Sequence, residues 1–208
     1  MHLGMPLDAE ISKKSQLLKG YKRMMDKKYS PPGILILNGF PGSGKTTVAR
    51  LIASQCPRGA HINGDEIHNL IRGGRIHPPG KLEEQEEVIQ QLKLRERNIA
   101  LLADSFFESG FFPIIDNYIS NRERLGYLLS HLKSHPVAMV VLNPRLEVSE
   151  ERDLFRPEKT VAHLFQDSYI ELQKELMGTG LWLDNAYLTP EQTAEEVKLK
   201  AFSKGLIR

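Results

Sequence analysis

The clearest chemistry in the chain lies in Gly39-Phe40-Pro41-Gly42-Ser43-Gly44-Lys45-Thr46, which matches G-x-x-x-x-G-K-[ST] without a mismatch. Its glycines permit positive φ and let backbone N–H groups approach phosphate oxygens closely. A helix beginning at Lys45 or Thr46 would add the positive end of its dipole. Lys45 supplies a mobile charge for β- and γ-phosphates, and the Thr46 hydroxyl suits Mg2+. Gly39, Gly42, Ser43, Gly44, Lys45, Thr46 and Thr47 are therefore candidate nucleotide contacts, and ATP with Mg2+ is the expected ligand pair.

A phosphate loop does not by itself define a reaction, so the acidic and basic residues around it matter next. Asp65, in Asn63-Gly64-Asp65-Glu66-Ile67-His68, is a candidate general base that takes a proton from an acceptor hydroxyl. Its alternative reading is a helix N-cap, because Asp is a preferred cap and helical residues follow. Asp116 closes the apolar run Phe111 to Ile115, where an acid can hold a Mg2+-bound water; the alternative is a turn with Asn117. Arg145, Arg152 and Arg156 follow the fourth apolar run, and 152 and 156 share a helix face. Their planar donor forks suit charge neutralisation during transfer, although Glu150, Glu151 and Asp153 offer ordinary surface pairs. The segment Gly73 to Gly80 reads as a substrate loop or a plain connector. His68, Arg72, Arg75 and Asn117 are the candidate acceptor contacts.

The elements that must hold these residues alternate in type. Ile34 to Leu37, ending at Gly39, reads as a buried strand, followed by Ala60 to Asn63, Phe111 to Asp116, Val137 to Leu142 and Leu181 to Leu183. Pro113 should lie near the start of its strand. Helical patterns cover about 45–54, 82–109, 121–133, 149–155 and 161–177, with a last helix after Thr189-Pro190. In the long one, Val88, Ile89, Leu92, Ile99, Leu102 and Phe106 form the expected apolar face. The alternation predicts an α/β three-layer sandwich around a mainly parallel five-stranded sheet, with strand order 2-3-1-4-5. Residues 1–30 read as a solvated helical extension rich in lysine, residues 31–208 as the domain, and residues around 145–160 as its lid.

Composition limits the alternatives. The net charge of the 208-residue chain is +2 with basic residues spread along it, which argues against nucleic acid as the main partner. Cys56 is the single cysteine, so no internal disulfide forms, and a cytoplasmic setting is the simplest expectation. No apolar run is long enough to span a membrane, and no motif sets an oligomeric state.

Ile34 to Thr47, Gly64-Asp65-x-x-His68, and Leu181-Trp182-Leu183-Asp184 leading to Thr189-Pro190-Glu191 resemble the small P-loop kinases. Among these the sequence is most similar to the chloramphenicol phosphotransferase-like and zeta-toxin-like proteins, with gluconate kinases close by, over about residues 33 to 202. The resemblance implies an ATP-dependent phosphotransferase acting on a small-molecule hydroxyl. It implies Asp65 as base, Arg152 as lid arginine, and Asp184 to Thr189 beside the adenine. There are departures. Nucleoside monophosphate kinases commonly carry Arg where His68 stands, with Arg72 one turn further on here. Gluconate kinases often follow Asp-x-x-His with Pro, where this chain has Asn69. Nucleotide, nucleotide-sugar or sugar-acid kinases, and a nucleotide-dependent switch, remain the competing expectations.

Overall fold

The computed structural model describes residues 32–77, 85–154 and 166–208. The expected extension over 1–30, Arg156 with the distal part of the lid, and Pro78 to Gly80 lie outside the described residues. Apolar runs become strands where both faces can be covered. β1 (Ile34–Gly39) is buried at all six positions and is followed by α1 (Lys45–Gln55). Then come β2 (Gly59–Asn63), the short α2 (Gly64–His68), the long α3 (Gln85–Glu108) and β3 (Phe112–Asp116). The remainder is α4 (Arg122–His131), β4 (Val137–Leu142), α5 (Leu146–Leu154), α6 (Gln166–Leu176), β5 (Leu181–Leu183) and α7 (Pro190–Lys204).

The five strands form one parallel sheet in the order β2-β3-β1-β4-β5, as expected. β1 is central, so its carboxyl end, where the glycine-rich loop begins, lies between those of β3 and β4. Leu37 is in register with Asp116, which is in register with Asn63. These pairings align the ends of β2, β3 and β1 along one sheet edge. Pro113 sits second in β3, where its missing donor costs little. On the other side, residues 205–208 run antiparallel to the start of β4 through the Ala138–Leu206 bridge, covering backbone that β5 is too short to pair.

α3 corrects the sequence reading. Val88 and Ile99 are buried, but Ile89, Leu102 and Phe106 are exposed. The inward face instead carries Gln91, Arg95, Glu96 and Asp104 beside Ile99, Ala100 and Ala103. Asp104 accepts from the backbone N–H groups of Lys133 and Ser134, and Glu96 pairs with Arg124, so burying these groups satisfies specific donors. Hydrophobic spacing alone misplaces a face whose polar residues have partners.

Asn38 joins the sheet to the site. It is fully buried in β1, donates through Nδ2 to the Ile119 carbonyl at 2.9 Å, and accepts through Oδ1 from Ile119 N and Gly39 N. This one side chain fixes both the start of the phosphate loop and the chain leaving β3. Replacing it by alanine strands the Ile119 amide and carbonyl. Asn38→Ala should lower the unfolding free energy by about 2–4 kcal/mol, read as a reduced urea midpoint at unchanged slope.

Candidate functional site

Three glycines of the loop adopt positive φ, and two of them have no space for a side chain. A Cβ on Gly39 would stand 2.4 Å from the Leu142 carbonyl oxygen, and one on Gly42 would stand 2.0 Å from that of Ser149. The loop thus wraps against β4 and α5 with backbone touching backbone. α1 then starts at Gly44 with no side-chain cap and no acidic residue in its first turn. Its first N–H groups are left for an external acceptor, the arrangement an anion needs. Lys45 donates from Nζ to the Phe40 carbonyl across the loop at 3.1 Å. The sequence-derived candidates 39, 42–47 are therefore brought together around one concave backbone.

Thr46 and Asp116 meet beside it. Burial alone would push the Asp116 carboxyl up. Hydrogen bonds from His61 and Thr46, with the Lys45 charge nearby, outweigh this and hold it below the ordinary carboxylate range. Asn63 Nδ2 also donates to Asp116 Oδ2 at 3.0 Å. A hydroxyl beside an ionised carboxylate is a hard-oxygen pair of the kind that holds Mg2+ together with nucleotide phosphates and water.

On the β4–β5 side, a cavity of about 280 Å³ is lined by Gly42, Gly44, Thr47, Arg152, Asn185 and Leu188 among others. Asn185 is buried and donates to the Ser43 carbonyl at 3.0 Å, pinning the loop to the segment after β5. Its Oδ1 has no partner. Arg152 donates through Nη2 to the carbonyls of Asn185 and Ala186 at 3.1 and 2.9 Å. Arg145 lies over the Tyr187 ring and donates to its hydroxyl. Both arginines are thus engaged with residues 185–187, the segment expected near the adenine.

The β2–β3 side holds the acceptor candidates. The cap of α2 is Asn63, whose Oδ1 accepts from Asp65 N and Glu66 N at 2.8 and 3.1 Å. The cap reading of Asp65 is thereby corrected: a stronger local competitor stands two residues earlier. The Asp65 carboxylate is 91% exposed and faces Arg95 at 3.8 Å. His68 is buried and donates from Nε2 to the Ile76 carbonyl at 3.0 Å; burial lowers its pKa, so it is neutral at pH 7. Gln91 accepts from Ile76 N and donates to the Gly74 carbonyl, so α2 and α3 together tie down residues 74–76. Arg75 donates to Asn69 Oδ1 at 2.9 Å, while Arg72 is exposed. Asn117 is buried with neither amide atom partnered. Sequence reasoning missed Arg95, Gln91, Asn63 and Asn185. A hint for Arg95 was a charge at heptad spacing from Val88, on the buried side of α3.

A parallel 2-3-1-4-5 sheet with a phosphate loop after its central strand defines the P-loop kinase fold. Residues 34–177 match the AAA domain family, and the chain belongs to that family. Solved structures with this fold include a sugar kinase from a Janibacter species, 22% identical at a TM-score of 0.60 and covering 81% of this chain and 94% of that one. The tunicamycin resistance protein of Deinococcus radiodurans is 24% identical at a TM-score of 0.59, covering 85% and 98%. Shikimate kinase from Aquifex aeolicus is 22% identical at a TM-score of 0.55, covering 80% and 94%. At these identities the likeness is one of fold. A curated relative, the 2′,3′-cyclic-nucleotide 3′-phosphodiesterase of Rattus norvegicus, is 26% identical over 112 residues, 54% of this chain. The match spans only 24% of that protein's length. No helix among the described residues is long and apolar enough to cross a membrane.

The Asp116 environment generates a pH signature. Its folded-state pKa lies below the unfolded value, so its carboxylate stabilises the fold above about pH 4, and that contribution is lost as pH falls through the folded pKa. Asp116→Asn should flatten the acid side of the thermal stability curve below about pH 4. It should also cut the gain in ATP affinity produced by Mg2+ about tenfold or more. An unchanged acid limb, read by calorimetry, would remove the ionised Asp116 from the account.

Proposed function

We propose that this protein is an ATP-dependent phosphotransferase that moves the γ-phosphoryl group to a hydroxyl of a small molecule. The observation that carries the reading is the freedom of Asp65. Asn63 caps α2, so both Asp65 carboxylate oxygens are left at the end of β2, on the edge shared with Asp116 and the phosphate loop. That is where an acceptor hydroxyl must stand to reach a γ-phosphoryl group held at the N-terminus of α1.

In the transfer, the acceptor oxygen forms a bond to the γ-phosphorus while the bond to the β-phosphate bridging oxygen breaks, releasing ADP. Asp65 takes the hydroxyl proton. The loop amides and Lys45 hold the non-bridging oxygens, and Thr46 and Asp116 are the residues that would hold Mg2+. The metal supplies charge neutralisation on the β- and γ-phosphate oxygens. Positioning and preorganised charge carry most of the rate. Arg152 and Arg156 are read as the lid arginines, and Arg152 meanwhile braces the 185–186 backbone against the cavity. His68, Arg72, Arg75 and Asn117 are read as the acceptor wall, with a sugar acid, nucleotide or nucleotide sugar as the competing acceptor classes. A cytoplasmic setting and a domain over 31–208 belong to the same reading.

The experiment is an ADP-release assay with ATP and Mg2+ across sugars, sugar acids, nucleosides, nucleotide sugars and antibiotics. Asp65→Asn should keep ATP affinity within about threefold yet lower turnover at least about 100-fold. Lys45→Ala should lose productive ATP binding. Acceptor-dependent turnover that survives in Asp65→Asn removes Asp65 as base. A nucleotide-driven conformational change without turnover, unaffected by Asp65→Asn, would instead favour the switch.

A further inference from the structure

The transfer gives Arg95 no task, and its position on α3 is costly to maintain. Its side chain is 7% exposed, its Nε has no hydrogen-bond partner, and Asp65 Oδ1 stands 3.8 Å from Nη1, beyond hydrogen-bond reach. Burial, followed by the repulsion of Arg124, lowers its pKa to about 10, so it remains a cation at neutral pH. Glu96 is fully buried, but its Oε1 is committed to Arg124, which donates to it from Nε at 2.8 Å and from Nη2. Glu96 is thus hydrogen-bonded to Arg124 and acts on Arg95 only through its charge. The remaining carboxylate, Asp65, is at the open side and is the one the transfer requires for a proton.

A neutral amide beside the start of α2 is also unspent. Both amide atoms of Asn117 lack partners, and Asn117 packs so close to Gly64 that a Cβ there would come within 2.4 Å of its Oδ1. The loop bearing Gly74 and Ile76 is anchored to the same helix by Gln91, one turn from Arg95. A buried guanidinium whose one ion pair is a long contact to an exposed carboxylate, and whose Nε has no hydrogen-bond partner, keeps donor capacity for a further anion.

We propose that Arg95 binds an anionic group, a carboxylate or a phosphate, carried by the phosphoryl acceptor itself, and so selects acceptors that bear a negative charge. This rests on the phosphotransferase reading above and names its substrate class. The guanidinium fork offers the paired donors that either anion takes. One hydrogen bond from Asp65 to the hydroxyl and one from Arg95 to the anion leave those groups no more than about 9 Å apart. The acceptor is thus a compact hydroxy acid or phosphorylated alcohol. With the anion bound to Arg95, the hydroxyl is delivered to Asp65, and a neutral analogue loses that anchor.

The test compares acceptors in pairs that differ in the anionic group: gluconate with glucose, ribose 5-phosphate with ribose, and a nucleoside 3′-phosphate with its nucleoside. Wild type, Arg95→Gln and Arg95→Lys are assayed for ADP release. Thermal unfolding of the nucleotide-free protein is followed with and without each anion. Wild type should prefer an anionic member, and the pair that shows it separates carboxylate from phosphate. Arg95→Gln should lose about 100-fold in kcat/KM on that member and little on its neutral partner, with partial recovery in Arg95→Lys. Without ligand, Arg95→Gln should melt no lower than wild type, because an uncompensated buried charge has been removed, and the anion should no longer raise its melting temperature. Equal loss on both members, or a lower melting temperature without ligand, would make Arg95 a structural ion-pair partner and overturn the proposal. Equal use of charged and neutral acceptors overturns it while the kinase reading stands. Anion stabilisation that depends on Arg95, with no turnover on any acceptor, keeps the anion site and removes the kinase reading. Absence of both stabilisation and turnover overturns the anion site as well.

Discussion

The arrangement depends on how the chain turns between β1 and α1. The central strand of a parallel sheet must end and a helix begin within a few residues, pressed against β4 and α5. Gly39 and Gly42 leave no room for a Cβ against the Leu142 and Ser149 carbonyls. Close backbone contact is what leaves the α1 amides pointing outward without a cap. Asn38 on one side and Asn185 on the other hold the turn by hydrogen bonds to Ile119 and Ser43. The loop is therefore preorganised by the sheet, and an anion need not pay the ordering entropy on arrival.

From that turn the site divides by strand order. β4 and β5 lie on one side of β1, and their trailing segments, through Arg152, Asn185 and Leu188, wall the cavity beyond Gly44. β3 and β2 lie on the other side, and their ends carry Asp116, Asn117 and, after Asn63, Asp65. The two sides read in the proposal as nucleotide and acceptor sides thus follow the strand order.

How much of this was legible depends on whether a residue's role is local or three-dimensional. The phosphate loop was legible because its spacing encodes its own backbone path, and Val137 to Leu142 because a buried parallel strand is apolar on both faces. Asp65 was singled out on sequence, but its alternative as a cap could not be settled until Asn63 was seen to accept from two amides. α3 was misjudged at Ile89, Leu102 and Phe106. Helical periodicity assumes that the inward face is apolar, and here it is partly ionic because Arg124 and the Lys133–Ser134 amides come from distant sequence to meet it. Arg95 was missed for the same reason: on sequence an arginine in a charged helix is by default a surface residue, and its heptad spacing from Val88 was the one hint against that.

Asn63 shows why the missed residues matter as much as the found ones. Its Oδ1 accepts from Asp65 N and Glu66 N, and its Nδ2 donates to Asp116 Oδ2. One amide thus fixes the first turn of α2, and with it the proposed base, relative to the carboxylate proposed to hold the metal. The two orientations of this amide are not equivalent, since only one gives acceptors to both backbone donors and a donor to the carboxylate. Because Asp116 is further held by His61, a shift of the acid on β3 is opposed from two sides. The sheet edge therefore ties Asp116 and the first turn of α2 into one hydrogen-bonded unit. In the proposed transfer, the separation of Asp65 from the phosphate loop would be set by β2 and β3 rather than by the mobility of either side chain.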